Sequence, residues 1–187
     1  MSSALLYGCP FLPPLGNHPR FAHYFSDVIS GNRKEVLYMT LCVIGLGYIG
    51  LPTSVMFAIH DVDVHGVDVN KHVIETVRKG QLHIEERGLK EKLKTVIKNG
   101  KLTVSSTPKK ADVFIISVPT PLDENKKTDL SHVKSAARSI VPFLEKGNLI
   151  ILESTVPPKT TERILAPILE TSGLKVGEDL FVAHSPE

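Results

Sequence analysis

The sequence predicts an α/β protein built on a doubly wound parallel sheet with helices on both faces. Short aliphatic runs alternate along the chain with amphipathic segments of helical period, which is the pattern of repeated strand–helix–strand units. Several of the aliphatic runs are almost continuously apolar, as expected of parallel strands that are buried on both faces. In addition, the first run is followed by a glycine-rich turn that leads into a helix.

Each element follows from this pattern in order. Six strands are predicted, near Leu41–Ile44, Val62–Val67, Leu102–Ser105, Val113–Val118, Leu149–Leu152 and Leu180–Ala183. Five helices are predicted between them, at Ile49–Ile59, Lys71–Arg78, Leu89–Asn99, Leu130–Leu144 and Lys159–Thr171. The interleaving predicts a Rossmann-like sheet, and such sheets bind their ligands beyond the carboxyl ends of the strands.

The glycine-rich turn has the spacing GxGxxG and indicates a nucleotide site. Gly45 would form the tight turn, Gly47 would let the backbone approach a pyrophosphate, and Gly50 would let helix and strand pack closely. The helix N-terminus that follows offers unpaired N–H groups and a positive potential to phosphates. The alternative is a helix-entry turn in a sheet protein that has no ligand.

Asp68 supplies the second half of the nucleotide pattern. It lies 18 residues after Gly50, at the end of the second predicted strand. In that place a carboxylate accepts hydrogen bonds from the adenosine ribose, and it would repel the 2′-phosphate of NADP. The nearby Lys71 offsets this repulsion only in part, so the sequence predicts NAD as the cofactor.

Composition fits a globular protein and argues against several other classes. The chain has 187 residues, of which 42% are hydrophobic, and its formal net charge is +2, so no nucleic-acid partner is predicted. The two cysteines, Cys9 and Cys42, provide neither a disulfide framework nor zinc spacing, and Cys42 is expected to be a small buried apolar residue. No metal site is predicted, because the eight histidines lack metal-ligand spacing. No apolar run is long enough to cross a bilayer, and we expect a cytoplasmic protein.

The first 38 residues differ from the rest of the chain. Residues 1–32 contain four prolines, several glycines and no clear periodicity. We therefore expect 1–38 to be an N-terminal extension that is poorly structured or non-native, and 39–187 to form one NAD-binding Rossmann domain. Met39 stands directly before the first strand and is a candidate for the natural start.

Three further segments lie where predicted strands end. They are Val118-Pro119-Thr120-Pro121, Glu153-Ser154-Thr155-Val156-Pro157 and His184-Ser185-Pro186-Glu187. Each places hydroxyls, carboxylates or proline-stiffened backbone on the expected ligand edge. For one segment alone, the alternative is that proline ends a strand and polar residues cover an exposed edge. Together with the glycine turn, the three segments favour a ligand site.

Six blocks of the sequence, in order, resemble the UDP-glucose/GDP-mannose dehydrogenase family from about Leu41 to the last residue. The blocks are GLGYIGLP (Gly45–Pro52), VDVN (Val67–Asn70), SVPTPLDEN (Ser117–Asn125), DLSHVKSAARSI (Asp129–Ile140), ILESTVPPKTTE (Ile151–Glu162) and HSPE (His184–Glu187). Within the family, GYIGLP, the stretch LHIE and SAARSI are most similar to the branch that oxidises UDP-N-acetyl-D-mannosamine. The UDP-glucose and GDP-mannose branches stay open.

The resemblance implies a two-step oxidation that uses two NAD. Family members convert the C6 hydroxyl of a nucleotide sugar to a carboxylate, which here would give UDP-N-acetyl-D-mannosaminuronate. A cysteine captures the aldehyde as a thiohemiacetal, and the thioester that forms after the second hydride transfer is hydrolysed. The thiohemiacetal thus presents a second hydride without release of a reactive aldehyde.

The resemblance also implies a role for each matched residue. The pyrophosphate of the cofactor would be bound by Gly45, Gly47, Tyr48, Ile49 and Gly50, and the ribose by Asp68. The rest of the cofactor would be lined by Val118, Pro119, Thr120 and Thr155. Thr155 would also hold a catalytic water, and Glu187 would assist proton transfer and hydrolysis. Ser154 is expected to be structural, and His184 is expected to pack or to form a hydrogen bond.

Family members continue beyond the SPE motif, with a dimerising helical segment and a second domain that binds the sugar and carries the nucleophilic cysteine. Full-length members are therefore expected to be homo-oligomers. We expect this chain alone to be inactive in the two-step reaction, as a truncated product or with a separate chain that carries the C-terminal domain. The alternatives are a related NAD-dependent hydroxyacid dehydrogenase and a non-catalytic, isolated NAD-binding module.

Overall fold

A computed structural model describes residues 39–122, 124 and 126–186, and within them six strands form one parallel sheet. The strands are β1 (Thr40–Ile44), β2 (Asp63–Val67), β3 (Leu102–Ser105), β4 (Val113–Ile116), β5 (Leu149–Leu152) and β6 (Phe181–His184). Their order in the sheet is β3-β2-β1-β4-β5-β6. The strand order reverses between β1 and β4, so the crevice at the carboxyl ends of these two strands is the expected ligand position.

Helices cover both faces of the sheet, which confirms the predicted fold class. They are α1 (Gly50–Ile59), α2 (Lys71–Arg78), α3 (Leu89–Lys98), α4 (Ser131–Ile140) and the short α5 (Ala166–Leu169). The first three pack on the half of the sheet that β1, β2 and β3 form, while α4 and α5 pack together after β4 and β5. None of the helices in the described part is long and apolar enough to span a membrane.

The core on one face of the sheet joins strand residues to α4 and α5. Cys42, Phe114 and Ile150 share a buried cluster with side chains of both helices, among them Val133, Ala137, Ile140 and Leu169. On β1 and β4 the next residue along the strand, Val43 and Ile115 respectively, points to the opposite face and is also buried. This double burial explains the continuous apolar runs of the sequence.

Cys42 lies inside this core, as the sequence predicts. Its side chain is 0% exposed, and burial raises the pKa of the thiol to about 11. The thiol is therefore neutral at physiological pH and behaves as a small apolar group. Cys9 lies outside the described residues, as does the predicted extension 1–38.

Two predicted helices are shorter or less regular than expected because each contains a proline. The helix predicted at 130–144 ends at Ile140 and continues as a 3-10 turn, Val141–Phe143, at Pro142. The helix predicted at 159–171 consists of a π-helical turn (Thr161–Leu165), α5 and a 3-10 turn (Glu170–Ser172). Pro167 has no N–H to donate, and its ring crowds the carbonyl four residues earlier, which disrupts the regular α-helical hydrogen bonding.

His65 on β2 is a buried polar residue at the β2–β3 side of the sheet. Its Nδ1 lies 2.8 Å from Thr103 Oγ1, and its Nε2 lies 2.9 Å from Ser105 Oγ and 3.1 Å from the Thr107 carbonyl oxygen. Because a carbonyl oxygen can only accept, the proton sits on Nε2, and Nδ1 accepts from the Thr103 hydroxyl. The neutral ring is thereby fully hydrogen-bonded.

Protonation of His65 is disfavoured in the folded protein. Burial lowers the pKa of the ring, the Thr107 carbonyl opposes this in part, and the positive charges of Lys109 and Arg78 lower the pKa further. At low pH the unfolded chain therefore binds a proton at this histidine more readily than the folded chain does. Protonation of the unfolded ring then lowers the free energy of unfolding.

We expect the free energy of unfolding to decrease as the pH falls below about 6.5, the ordinary pKa of histidine. The decrease follows because the unfolded state gains a proton that folded His65 resists. Denaturant unfolding of the chain and of His65→Gln, compared between about pH 7.5 and about pH 5.5, measures the effect. The variant should lose less stability over that interval. Equal losses in the two proteins would rule out His65 as the source.

Candidate functional site

In the glycine turn after β1, the first and third glycines have no room for a side chain. Gly45 has a φ of +98°, and a Cβ on it would lie 2.1 Å from the Ser117 carbonyl oxygen. A Cβ on Gly50 would lie 1.9 Å from the Gly45 carbonyl oxygen. Neither position has room for a side chain, because the strand β1, the segment after β4 and the start of α1 meet there backbone to backbone.

Gly47, in the middle of the same turn, is open. Apart from Gly47 itself and its two chain neighbours, no residue would have an atom within 4 Å of a Cβ at this position, and its φ is not in the left-handed region. The protein fold therefore does not require glycine here. The space in front of the Gly47 backbone is available to a ligand, which fits the predicted approach of a pyrophosphate.

The start of α1 suits an anion. Its N-cap residue, Ile49, makes no side-chain capping bond, and the first turn has no acidic residue. The positive end of the helix dipole is thus not countered by an acidic side chain of its own first turn. Tyr48, which the sequence assigned to the same site, stands beside this end with its side chain largely exposed.

Asp68 connects the glycine turn to the end of β2. Its Oδ2 accepts a hydrogen bond from the backbone N–H of Leu46 at 3.0 Å, and its Oδ1 accepts from Asn70 N at 2.8 Å. Each carboxylate oxygen has a further lone pair, so the group can accept from a ribose hydroxyl while it holds the turn. The sequence predicted the ribose contact but gave no sign of the bond to Leu46.

The end of β4 lies next to the glycine turn. The strand predicted at 113–118 stops at Ile116, and Ser117 N donates to the Ile44 carbonyl oxygen at 2.8 Å. Val118 leaves the regular ladder because Pro119 restricts the residue before it and has no N–H. The segment then turns so that Thr120 Oγ1 donates to the Thr155 carbonyl oxygen at 2.7 Å.

The structure therefore brings most of the predicted site residues to one edge of the sheet. Gly45, Gly47, Tyr48, Ile49 and Gly50 follow β1, Asp68 follows β2, residues 118–120 follow β4, and Thr155 follows β5. His184, at the end of β6, donates from Nε2 to the Ser154 carbonyl oxygen at 3.2 Å, which agrees with its expected hydrogen-bonding role. Glu187 lies outside the described residues.

Ser154, expected from the sequence to be structural, is buried at this edge. Its side chain is 2% exposed, and its hydroxyl contacts both backbone groups of Val118. A serine in a polar segment gives no sequence signal of burial between two strand ends. Among residues 39–122, 124 and 126–186, no group of three His, Cys, Asp or Glu side chains could hold a metal ion.

Comparisons with known proteins show which family the chain is similar to. The model of the UDP-glucose/GDP-mannose dehydrogenase family, NAD binding domain, matches residues 39–187. The chain is 49% identical over 151 residues to a UDP-N-acetyl-D-mannosamine dehydrogenase of Methanococcus maripaludis, covering 79% of this chain and 34% of the relative. It is 45% identical over 157 residues to the enzyme of that name from Escherichia coli K12, and this alignment covers 80% of this chain and 37% of the relative.

A solved structure shares the fold. The UDP-N-acetyl-mannosamine dehydrogenase Cap5O from Staphylococcus aureus aligns with a TM-score of 0.76 and 53% identity, over 79% of this chain and 36% of that protein. The chain spans about a third of the length of the curated relatives it matches.

Proposed function

The chain belongs to the UDP-glucose/GDP-mannose dehydrogenase family, whose NAD-binding domain it forms, and from this we propose that it binds NAD for the 6-oxidation of a nucleotide sugar. The substrate we propose is UDP-N-acetyl-D-mannosamine, with UDP-N-acetyl-D-mannosaminuronate as the product. In support, relatives of that name are 45–49% identical to the chain. A GDP-mannose dehydrogenase structure from Pseudomonas aeruginosa is 29% identical, and a UDP-glucose dehydrogenase from Pyrobaculum islandicum is 34% identical.

The observation that carries the proposal is the contrast within the glycine turn. Gly45 and Gly50 are required by backbone contacts within the protein, whereas Gly47 faces open space. A glycine that the fold does not need, placed at an uncapped helix N-terminus, fits a turn shaped for the close approach of a phosphate group. The residues present therefore suit the cofactor.

Each predicted site residue has a proposed task. The turn at 47–50 holds the pyrophosphate through backbone N–H groups, and the Asp68 carboxylate accepts from the adenosine ribose. Residues 118–120 line the cofactor, and the Thr155 hydroxyl orients a water. Glu187 moves the proton that this water releases in hydrolysis. Bound NAD supplies a hydride acceptor.

We further propose that the chain binds NAD without completing the oxidation by itself. The reaction in the family needs a nucleophilic cysteine, and Cys42 cannot provide one, because it is fully buried and its thiol pKa is about 11. The sugar-binding domain of the family, in the same polypeptide or in a separate one, would supply the nucleophile and the contacts for homo-oligomers.

Calorimetric titration of the purified chain with NAD tests the proposal. Saturable binding is the expected result, and a folded chain that takes up no NAD would contradict it. Incubation with NAD and the three candidate nucleotide sugars should produce no NADH, whereas turnover of any of them would overturn the proposed need for a second domain. Turnover of a hydroxyacid would instead favour the hydroxyacid dehydrogenase alternative.

Asp68→Ala should weaken NAD binding and narrow the preference for NAD over NADP. The change removes the acceptor for the ribose, the charge that repels a 2′-phosphate, and the bond to Leu46 N. We expect the Kd for NAD to rise by about tenfold, which corresponds to the loss of about 1.4 kcal/mol. Titration with each cofactor measures the two values.

The matched control for this change is Asp63→Ala, at the opposite end of the same strand. Asp63 is half exposed and pairs with Lys101 at 3.1 Å, so its loss removes a carboxylate from β2 without touching the ligand edge. The cofactor preference of this control should not change. Equal affinity of the unmodified chain for NAD and NADP would show that the assignment of NAD is wrong.

A further inference from the structure

The pairing between β4 and β5 continues beyond the two strands through a side chain. The last matched residues of the strands are Ile116 and Leu152, and Glu153 N then donates to the Ile116 carbonyl oxygen at 2.8 Å. At the next position the Ser154 hydroxyl donates to the Val118 carbonyl oxygen at 2.8 Å and accepts from Val118 N at 3.2 Å. One buried hydroxyl thus satisfies both backbone groups of Val118 in place of a ladder partner.

Two more bonds extend this link across the site. Thr120 Oγ1 donates to the Thr155 carbonyl oxygen at 2.7 Å, and His184 Nε2 donates to the Ser154 carbonyl oxygen at 3.2 Å. The segments that follow β4 and β5 and the last residue of β6 are therefore joined side by side, and Ser154 takes part in two of these three contacts. With 2% of its surface exposed, it is the most buried member of the group.

We propose that Ser154 is a positioning residue for NAD, which fixes residues 118–120 against Thr155 at the cofactor edge. The inference rests on the proposed function, since these are the residues assigned to line the cofactor. Ser154 itself has no exposed hydroxyl to offer a ligand. Its effect passes through Val118, whose backbone it holds.

The reason lies in what the Val118 backbone would otherwise do. Without the hydroxyl, the N–H and the carbonyl of Val118 lose their partner at a place where the sheet no longer provides one. Pro119 restricts its own φ but does not hold the segment against β5. Residues 118–120 would then populate several conformations, and NAD would have to order them on binding, which lowers affinity.

Asn148, which directly precedes β5, offers a matched control at the other end of the same two strands. It is 6% exposed, it donates from Nδ2 to the Ala111 carbonyl oxygen at 3.0 Å, and its Oδ1 accepts from Glu145 N at 2.7 Å. Asn148 therefore links the beginnings of β4 and β5, as Ser154 links their ends. Loss of either side chain removes a buried side-chain-to-backbone connection, but only Ser154 lies at the ligand edge.

The experiment measures NAD affinity and unfolding for the full chain and for Ser154→Ala and Asn148→Ala. Both variants should unfold at lower denaturant than the unmodified chain. Ser154→Ala should raise the Kd for NAD by about tenfold, whereas Asn148→Ala should leave it within about twofold. Should the alanine variant fail to fold, Ser154→Cys keeps the branching of the side chain but replaces the hydroxyl by a larger thiol that is a weaker hydrogen-bond donor, and it should also raise the Kd for NAD.

Unchanged affinity in the Ser154 variant, or an equal loss in the Asn148 variant, would overturn the proposal. Hydrogen exchange of the Val118 amide, measured without NAD, separates this inference from the proposed function. Faster exchange at Val118 in the Ser154 variant alone supports the positioning role even if the unmodified chain binds no NAD. Unchanged exchange there would overturn it.

Discussion

Gly47→Val is expected to abolish NAD binding, with a Kd at least about 100-fold higher, in a chain that still folds. The valine side chain would project into the space in front of the turn, where no residue beyond its two chain neighbours has an atom within 4 Å of its Cβ, and would block the path of the pyrophosphate. The backbone at Gly47 is not in the left-handed region, so the change does not force valine into that disfavoured conformation. Calorimetric titration together with denaturant unfolding measures both expectations.

Gly47→Ala is the graded control for this result. Its methyl group should weaken NAD binding less than the valine side chain does and should also leave the free energy of unfolding unchanged. An undiminished affinity of the valine variant for NAD would refute the assignment of the turn to the pyrophosphate. A large loss of stability would show instead that the open space seen at Gly47 is filled in solution.

Gly50→Ala, in contrast to Gly47→Val, should strongly destabilise the folded protein. Its Cβ would lie 1.9 Å from the Gly45 carbonyl oxygen, a backbone atom that cannot move without displacing the end of β1. We expect the free energy of unfolding to fall by roughly 3–5 kcal/mol, a large part of the stability of an ordinary domain. The midpoint of denaturant unfolding gives the value.

Helix propensity makes this test stringent. Alanine favours a helix over glycine by about 1 kcal/mol, so any loss of stability has to come from the backbone contact. Gly47→Ala, three residues earlier, controls for the addition of a methyl group to the same turn. If Gly50→Ala were as stable as the unmodified chain, this result would contradict the close contact between the start of α1 and the Gly45 carbonyl oxygen.

The sheet could be predicted from the sequence because strands that are buried on both faces appear as almost continuous apolar runs. Every predicted strand corresponds to an observed one, and most ends agree within one residue. The ends were missed where a single residue changes the local hydrogen bonding. Proline at 142 and 167 interrupts two helices, and proline at 119 ends β4 two residues early.

Placement of the site at the strand ends was equally predictable, since parallel strands bring their carboxyl ends to one edge. The connections between the site residues were not. The bond from Asp68 to Leu46 N and the bonds from Ser154 to Val118 join residues 22 and 36 positions apart. Such contacts depend on the three-dimensional register of neighbouring strands, and no local pattern of residue types encodes them.

The contact between Gly45 and Gly50 has a consequence for the kinetics of cofactor uptake. Because these two residues pack against each other and Gly45 also meets Ser117, the turn has its shape before any ligand arrives. NAD then binds to a preformed turn, and no slow conformational change has to precede binding. In stopped-flow mixing, the observed rate should therefore rise in proportion to NAD concentration without reaching a plateau.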